Sequence, residues 1–409
     1  MSDLIETLIR PDIQALKAYH VPDATGLIKL DAMENPYRWP EALRDDWLAA
    51  LREAELNRYP DPSARALQAA LREAMSIPPD MGLLLGNGSD ELIQMLALAV
   101  AAPGRPGRSA RADADKARGE TPGETLGDAL DEALGEPFSR ASKTAPSRPT
   151  LLSLDPGFVM YRMIARFAGL EYAGVALNGS DFSLDLDATL AAIERHRPLL
   201  TFIAYPNNPT GNLFDPAAIE RIIAASPGLV IVDEAYAPFT DASFLPRLGD
   251  WPNLLVMRTV SKMGLAGLRL GYLAGPAEWI EQLDKVRLPY NINVLSQASA
   301  TFALRHRAVF DTQTATIRAE RGRLASALAE LDAGRGRLQP FPSDANFILV
   351  RAQRGRAGAL FDGLRERGIL IKNLDGAHPL LADCLRITVG TPDENAALID
   401  ALAALLEGG

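Results

Sequence analysis

Lys262 lies in the stretch TVSKMGLAGLRLGY (259–272), between Ser261 and a glycine-spaced apolar run that leads to Arg269. An amine so placed is a candidate nucleophile toward a carbonyl carbon, provided its surroundings keep it unprotonated. Four other short polar clusters carry residues able to do chemistry: GNGSD (86–90), PGF (156–158), NNPTG (207–211) and DEAY (233–236). Each of the five follows an apolar run that reads as a buried strand.

In open α/β sheets, ligands bind beyond the carboxyl ends of the strands. The five clusters would then face one ligand. Gly88-Ser89-Asp90 opens a helix, and helix N-termini attract anions through their main-chain N–H groups. Ser261 and Arg269 add a hydroxyl and a guanidinium suited to the same phosphate. Phe158 offers a ring face for stacking. Asp233 can pair with a protonated ring nitrogen, Asn208 and Tyr236 can hydrogen-bond a phenolic oxygen, and Lys262 can attach to an aldehyde. A phosphorylated, electron-poor aromatic aldehyde meets all of these, and pyridoxal 5′-phosphate is such a molecule. Singly, each cluster also has a structural reading. Loop lysines are ordinarily solvated, NNPTG is a turn former, and GNGSDE is a capped helix start. Their joint occurrence, each at a strand end, favours the chemical reading.

The elements that must position these residues alternate. GLLLGN (82–87) leads into a helix over 89–102, and TLLSLDPGF (150–158) into one near 159–168. LLTFIAYP (199–206) precedes a helix near 216–225, and GLVIVDEAY (228–236) and NLLVMRTVSK (253–262) follow. The strands are near-continuous apolar runs, as in a parallel sheet covered on both faces. We therefore expect an α/β fold, with a large domain built on a mostly parallel sheet. Beyond about residue 296 the pattern changes to a long helical stretch (296–331), FILVR (347–351), a helix near 356–367, ILIKN (369–373), CLRITVG (384–390) and a last helix from 393. This predicts a smaller α/β domain over 296–409, with residues 1–50 packing beside it and 51–295 forming the cofactor-binding domain. Residues 104–149 are rich in Gly, Pro, Ser and mixed charge and read as a mostly disordered insertion.

Composition narrows the function. The chain has 409 residues and a net charge of −10, with no basic stripe interleaved with aromatics, which argues against nucleic-acid binding. Its single cysteine, Cys384, allows no intrachain disulfide, and four dispersed histidines make no metal site by spacing. No apolar run is long enough to span a bilayer, and the first residues resemble no signal peptide, so a cytoplasmic protein is expected.

YPNNPTG, VDEAY and TVSKMGLAGLRLGY resemble the fold-type-I pyridoxal-phosphate aminotransferases, and within them the histidinol-phosphate aminotransferases. MENPY (33–37), NRYPDPSARALQAAL (57–71), GNGSDELI (86–93), PYNINVLSQASA (289–300) and LRITVGT (385–391) extend the resemblance over nearly the whole chain except 104–149. It implies that Lys262 is the lysine bound covalently to the cofactor, that Asp233 partners the pyridine nitrogen, and that Asn208 and Tyr236 hold the phenolic oxygen. It makes Lys262, Asp233 and Tyr236 the catalytic set. Ser89, Asp90, Ser261 and Arg269 match the phosphate cup, and Phe158 takes a stacking position where many relatives have tyrosine. Tyr59 matches a tyrosine that reaches the phosphate of the neighbouring subunit's cofactor, implying a homodimer with shared sites. Arg386 matches the arginine that holds the acidic end of the substrate. Asn35 and Tyr37 lie in the segment that closes over it.

The implied reaction is transamination between L-glutamate and imidazole-acetol phosphate. A related lyase, such as a threonine-phosphate decarboxylase, and an aromatic amino-acid aminotransferase are the alternatives. Deleting residues 106–146 is expected to leave folding and activity intact. Loss of dimerisation on deletion, measured by sedimentation, would show instead that the segment is structural.

Overall fold

A computed structural model describes residues 2–16, 22–101, 149–332 and 334–407. The expected insertion at 104–149 lies, apart from Pro149, outside the described residues. The strands among the described residues are β1 (Ile28–Lys29), β2 (Met81–Gly86), β3 (Thr150–Asp155), β4 (Glu171–Ala176), β5 (Leu200–Ala204), β6 (Leu229–Asp233), β7 (Leu254–Thr259), β8 (Gly271–Pro276), β9 (Leu338–Pro340), β10 (Phe347–Ala352), β11 (Ile369–Leu370), β12 (Lys372–Asn373) and β13 (Cys384–Thr388).

Seven strands form one sheet in the order β2-β8-β7-β6-β5-β3-β4. Only β8 runs antiparallel to its neighbours; the remaining pairs are parallel. The central strands are buried on both parities, and their side chains alternate between two cores. Val230, Val232, Leu254 and Val256 pack on one face with Ile219, Ile222 and Ile223 of the helix Pro216–Ala225. Ile231, Leu255, Met257 and Phe202 pack on the other with Leu92, Leu96 and Tyr161, from the helices Ser89–Val100 and Val159–Phe167. Two apolar faces explain why these strands read as continuous apolar runs.

A second sheet, β12-β13-β10-β9, is antiparallel throughout. Its core includes Phe347, Ile348, Ile387 and Leu398, backed by the helices Arg307–Asp332, Ala357–Glu366 and Pro392–Glu407. β1 pairs in parallel with β11, and Leu30 joins the same core.

Three expectations differ from the structure. The helical stretch 296–331 is two helices, Val294–Arg305 and Arg307–Asp332, parted at His306. The His306 ring packs at a tilt against Phe302, centroids 4.3 Å apart, and its Nδ1 donates to the Phe302 carbonyl at 2.9 Å. ILIKN supplies two short strands, β11 and β12, to different sheets. β4 and β8 were not expected: β4 is a half-exposed sheet edge, and β8 (GYLAGP) is interrupted by glycine. Gly271 admits no larger residue, because a Cβ there would lie 2.8 Å from the Ser89 main-chain nitrogen. Among the described residues, no helix is long and apolar enough to cross a membrane, and no group of His, Cys, Asp and Glu is placed to hold a metal ion.

Candidate active site

The strand directions put the carboxyl ends of β2, β3, β5, β6 and β7 on one edge of the large sheet. The register aligns them: Gly86 faces Gly271, Thr259 faces Gly271, and Ala204 faces Asp233. A cleft opens there. Ser89, Asp90, Phe158, Asn208, Asp233, Tyr236, Ser261, Lys262 and Arg269 all line it, so the residues assigned to the cofactor within one chain come together.

One end of the cleft is suited to an anion. Ser89 begins a helix of 12 residues whose N-terminus has no side-chain cap, leaving first-turn N–H groups for another acceptor. Gly88 precedes it with φ +87° and ψ 168°, a conformation reserved for glycine. A Cβ at Gly88 would lie 2.7 Å from Arg269 Nη2, so the absent side chain makes room for the guanidinium. Ser261 Oγ lies 2.8 Å from Thr259 Oγ1, which fixes the hydroxyl beside Lys262. Asp90 sits 3.8 Å from Arg269. Burial raises its pKa, while Arg269 and Lys262 lower it.

Lys262 occupies a one-turn 3₁₀ helix, Ser261–Met263, directly after β7. Its Nζ donates to the Ala32 carbonyl at 3.3 Å and lies 5.7 Å from the Tyr236 ring centroid. Burial first, then the Arg386 charge, lowers its pKa to about 8, against an opposing pull from Glu34. Asp233 ends β6 and is buried. Its Oδ1 accepts from the Ala235 N–H at 3.0 Å and its Oδ2 from the Tyr161 hydroxyl at 2.6 Å. Burial raises its pKa to about 6; the two hydrogen bonds oppose that rise, and Asp90 and Glu234 add to it. The Tyr236 hydroxyl donates to Met33 Sδ at 3.2 Å, and burial raises its pKa.

Arg386 lies on β13 of the second sheet, outside the cleft lining but bonded to it. Its Nη1 donates to Asn208 Oδ1 at 2.7 Å and its Nη2 to the Asp31 carbonyl at 3.0 Å. Asn35 is turned to another task. Its Nδ2 donates to the Met263 carbonyl and to Gln313 Oε1, and its Oδ1 accepts from Tyr37 N–H. Tyr37 packs against the second-sheet core. Tyr59 is 81% exposed and stacks on Tyr290 at 4.5 Å, away from its own chain's cleft.

Three contributors escaped the sequence reading. Met33 lines the cleft with φ +54°. Thr259 orients Ser261. Tyr161 bonds Asp233, and its signal was a tyrosine on the buried stripe Tyr161-Ile164-Ala165 of its helix, where a hydroxyl must find a partner.

Residues 138–402 match the family model described as aminotransferase class I and II. The chain belongs to this family. Histidinol-phosphate aminotransferase 2 of Cupriavidus pinatubonensis is 52% identical over 99% of this chain and 98% of its own length. The protein of the same name from Nitrosococcus oceani is 51% identical over 98% of each. The crystal structure of histidinol-phosphate aminotransferase from Sinorhizobium meliloti in complex with pyridoxal-5′-phosphate superposes with a TM-score of 0.77. It covers 98% of both chains at 22% identity, a likeness of fold.

Within this aminotransferase, Gly88 holds a backbone conformation at the anion end that a side chain would strain. Gly88→Ala should lower the unfolding free energy by about 1–3 kcal/mol, the usual cost of backbone strain at such a site. Denaturant titration checks this. An unchanged midpoint would mean that the turn tolerates a side chain.

Proposed function

We propose that the protein is a pyridoxal-phosphate-dependent aminotransferase that exchanges an amino group between L-glutamate and imidazole-acetol phosphate. The products are 2-oxoglutarate and L-histidinol phosphate, a step of histidine biosynthesis. The observation that carries this reading is the convergence of Lys262, Asp233 and the Ser89–Ser261–Arg269 anion end in one cleft. Identity of about one half to proteins named histidinol-phosphate aminotransferase selects the substrate.

The donor set fits the cofactor. Ser89, Ser261, Arg269 and the uncapped helix N-terminus would hold its phosphate. A carboxylate repels phosphate, so Asp90 contributes through its main-chain N–H and by orienting Arg269. Phe158 would stack on the ring, Asn208 and Tyr236 would hydrogen-bond its phenolic oxygen, and Asp233 would meet its nitrogen. Bound there, the cofactor supplies an aldehyde and an electron-poor ring that spreads negative charge from the substrate's α-carbon.

The protein's own residues do the rest. With a pKa near 8, Lys262 Nζ is unprotonated in a useful fraction near neutrality. It would take the proton from the substrate's α-carbon and deliver it to the carbon that the cofactor brings as its aldehyde, a transfer between two carbons that accompanies amino-group transfer. Asp233 holds a proton on its partner nitrogen. The Arg386 guanidinium, planar and fixed by Asn208 and Asp31, binds the carboxylate tail of glutamate or the phosphate of histidinol phosphate. One fork for two anions lets donor and acceptor use the same pocket in turn, so ping-pong kinetics are expected.

The division of labour follows the sheets. In this reading 51–295 is the cofactor-binding domain, 296–409 the smaller domain that carries Arg386, and 1–50 a segment packing beside the smaller domain, within which residues 31–35 bond to both sheets' domains. The protein is further proposed to act as a homodimer. Leu56 and Leu288 are 73% and 71% exposed next to the stacked Tyr59 and Tyr290, an apolar surface that a second copy would cover. From there Tyr59 would reach the partner's phosphate end.

Adding L-histidinol phosphate to the cofactor-loaded protein should bleach the aldehyde absorbance, and 2-oxoglutarate should restore it. A band that persists would overturn the substrate. Lys262→Ala should abolish multiple turnover, and retained turnover would overturn the lysine's role. Tyr59→Phe should weaken cofactor binding by about 1.5–3 kcal/mol, the worth of a hydrogen bond to a charged group. Unchanged affinity, or a monomeric mass in sedimentation, would count against the shared site.

A further inference from the structure

An ionised carboxylate is costly to bury unless hydrogen bonds hold it. Asp233 is 4% exposed and has two donors. The Ala235 N–H belongs to the turn that follows Asp233 itself, so any side chain at that position supplies it. The Tyr161 hydroxyl comes from a different element, the helix Val159–Phe167, and at 2.6 Å it is the shorter of the two bonds.

Tyr161 has little freedom to be elsewhere. It is fully buried, its ring stacks on Phe202 of β5 at 4.7 Å and 25°, and Phe158 meets it edge-on at 5.5 Å and 86°. The residue thereby ties the ring offered for stacking to the carboxylate offered to the ring nitrogen. Burial and the neighbouring Asp233 push the Tyr161 hydroxyl well above its ordinary range, so it stays a donor throughout the working pH range.

The two neighbouring carboxylates oppose the ionisation of Asp233, while the cations Lys262 and Arg269 line the same cleft. Asp90 and Glu234 both push its pKa up, as burial does. Glu234 is itself held by Arg258, Ser243 and the Phe244 N–H. Tyr236 is neutral, its hydroxyl donating to Met33 Sδ. The Tyr161 and Ala235 hydrogen bonds pull Asp233 toward the anion. With one donor on each oxygen, the ionised carboxylate keeps accepting capacity for a third.

We infer that Tyr161 is a positioning residue, whose hydroxyl keeps Asp233 ionised and oriented toward the ring nitrogen of the cofactor. This rests on the functional reading above. Tyr161 touches neither substrate nor cofactor in this role; it acts through Asp233.

The test compares apoprotein binding of pyridoxal 5′-phosphate with that of its analogue bearing C–H in place of the ring nitrogen, by fluorescence titration. Tyr161→Phe should weaken the natural cofactor by about ten- to a hundredfold, as for loss of a hydrogen bond to a charged group, and should leave the analogue nearly unchanged. A second readout needs no ligand. Asp233's folded pKa, about 6, exceeds its unfolded value, so its ionisation costs stability that builds as pH rises from the ordinary carboxylate range to about 6 and stays constant above. Removing the hydroxyl raises the folded value further, so the variant's stability deficit against wild type should grow as pH rises above about 6 and level off once pH passes the variant's own higher folded value. Phe202→Leu keeps the hydroxyl but loosens its seat, and should show the same ligand selectivity to a smaller degree.

Equal weakening of both ligands, or a stability deficit independent of pH, would make Tyr161 a packing residue and overturn the proposal. Wild-type apoprotein that binds neither ligand would overturn the functional reading along with it.

Discussion

An anion held away from water at the end of a central strand is the constraint around which the large sheet is organised. Asp233 is buried because β6 is flanked by β5 and β7 and covered on both faces. A carboxylate there survives only where donors reach it and where a cationic partner can be received. The residues that meet this demand are the next turn of its own chain and the first turn of a helix launched from β3. Phe202, one strand over, seats that helix's tyrosine. The cleft is therefore polar where the sheet ends and apolar immediately beneath.

The second sheet touches this arrangement through few but directional contacts. Arg386 crosses from β13 to Asn208 and to the Asp31 carbonyl. Asn346 donates to the Met33 carbonyl, and the Thr388 hydroxyl accepts from the Met33 N–H. Residues 31–35 are thus strapped between the sheets, with Asn35 fastening the strap to Met263. Met33 holds a left-handed conformation uncommon for its type, and the bonds on both of its main-chain groups explain how it is kept there.

Much of this was legible in the sequence because strand ends are chemically loud. Asp233, Asn208 and Lys262 each follow an apolar run, and the parallel sheet brings such positions to one edge. Strands β5, β6 and β7 were recognisable since two buried faces leave no polar alternation. The strand β8 was hidden by its glycines, and β4 by the mixed exposure of an edge. His306 divides two helices whose apolar spacing runs on without a breaker such as proline, so only the Phe302 contact reveals the break. Asn35, expected near the substrate, spends its hydrogen bonds on the strap, a matter of partners 228 and 278 residues away. Tyr161 was overlooked for a related reason: the periodicity that marks a helix's inner face says which side is buried, not what a lone hydroxyl on that side will meet.

The antiparallel strand β8 gives the cleft a ruler. Thr259 and Gly271 are paired across β7 and β8, and the Val260 N–H donates to the Leu270 carbonyl. The loop between is pinched shut at its base, with Lys262 near its start and Arg269 near its finish. One closed segment of fixed contour thus sets the separation between the amine and the guanidinium. Lengthening or shortening it would change the span of molecule that can bridge the two groups, without altering either one. The size of the ligand is in this sense written in the length of a loop.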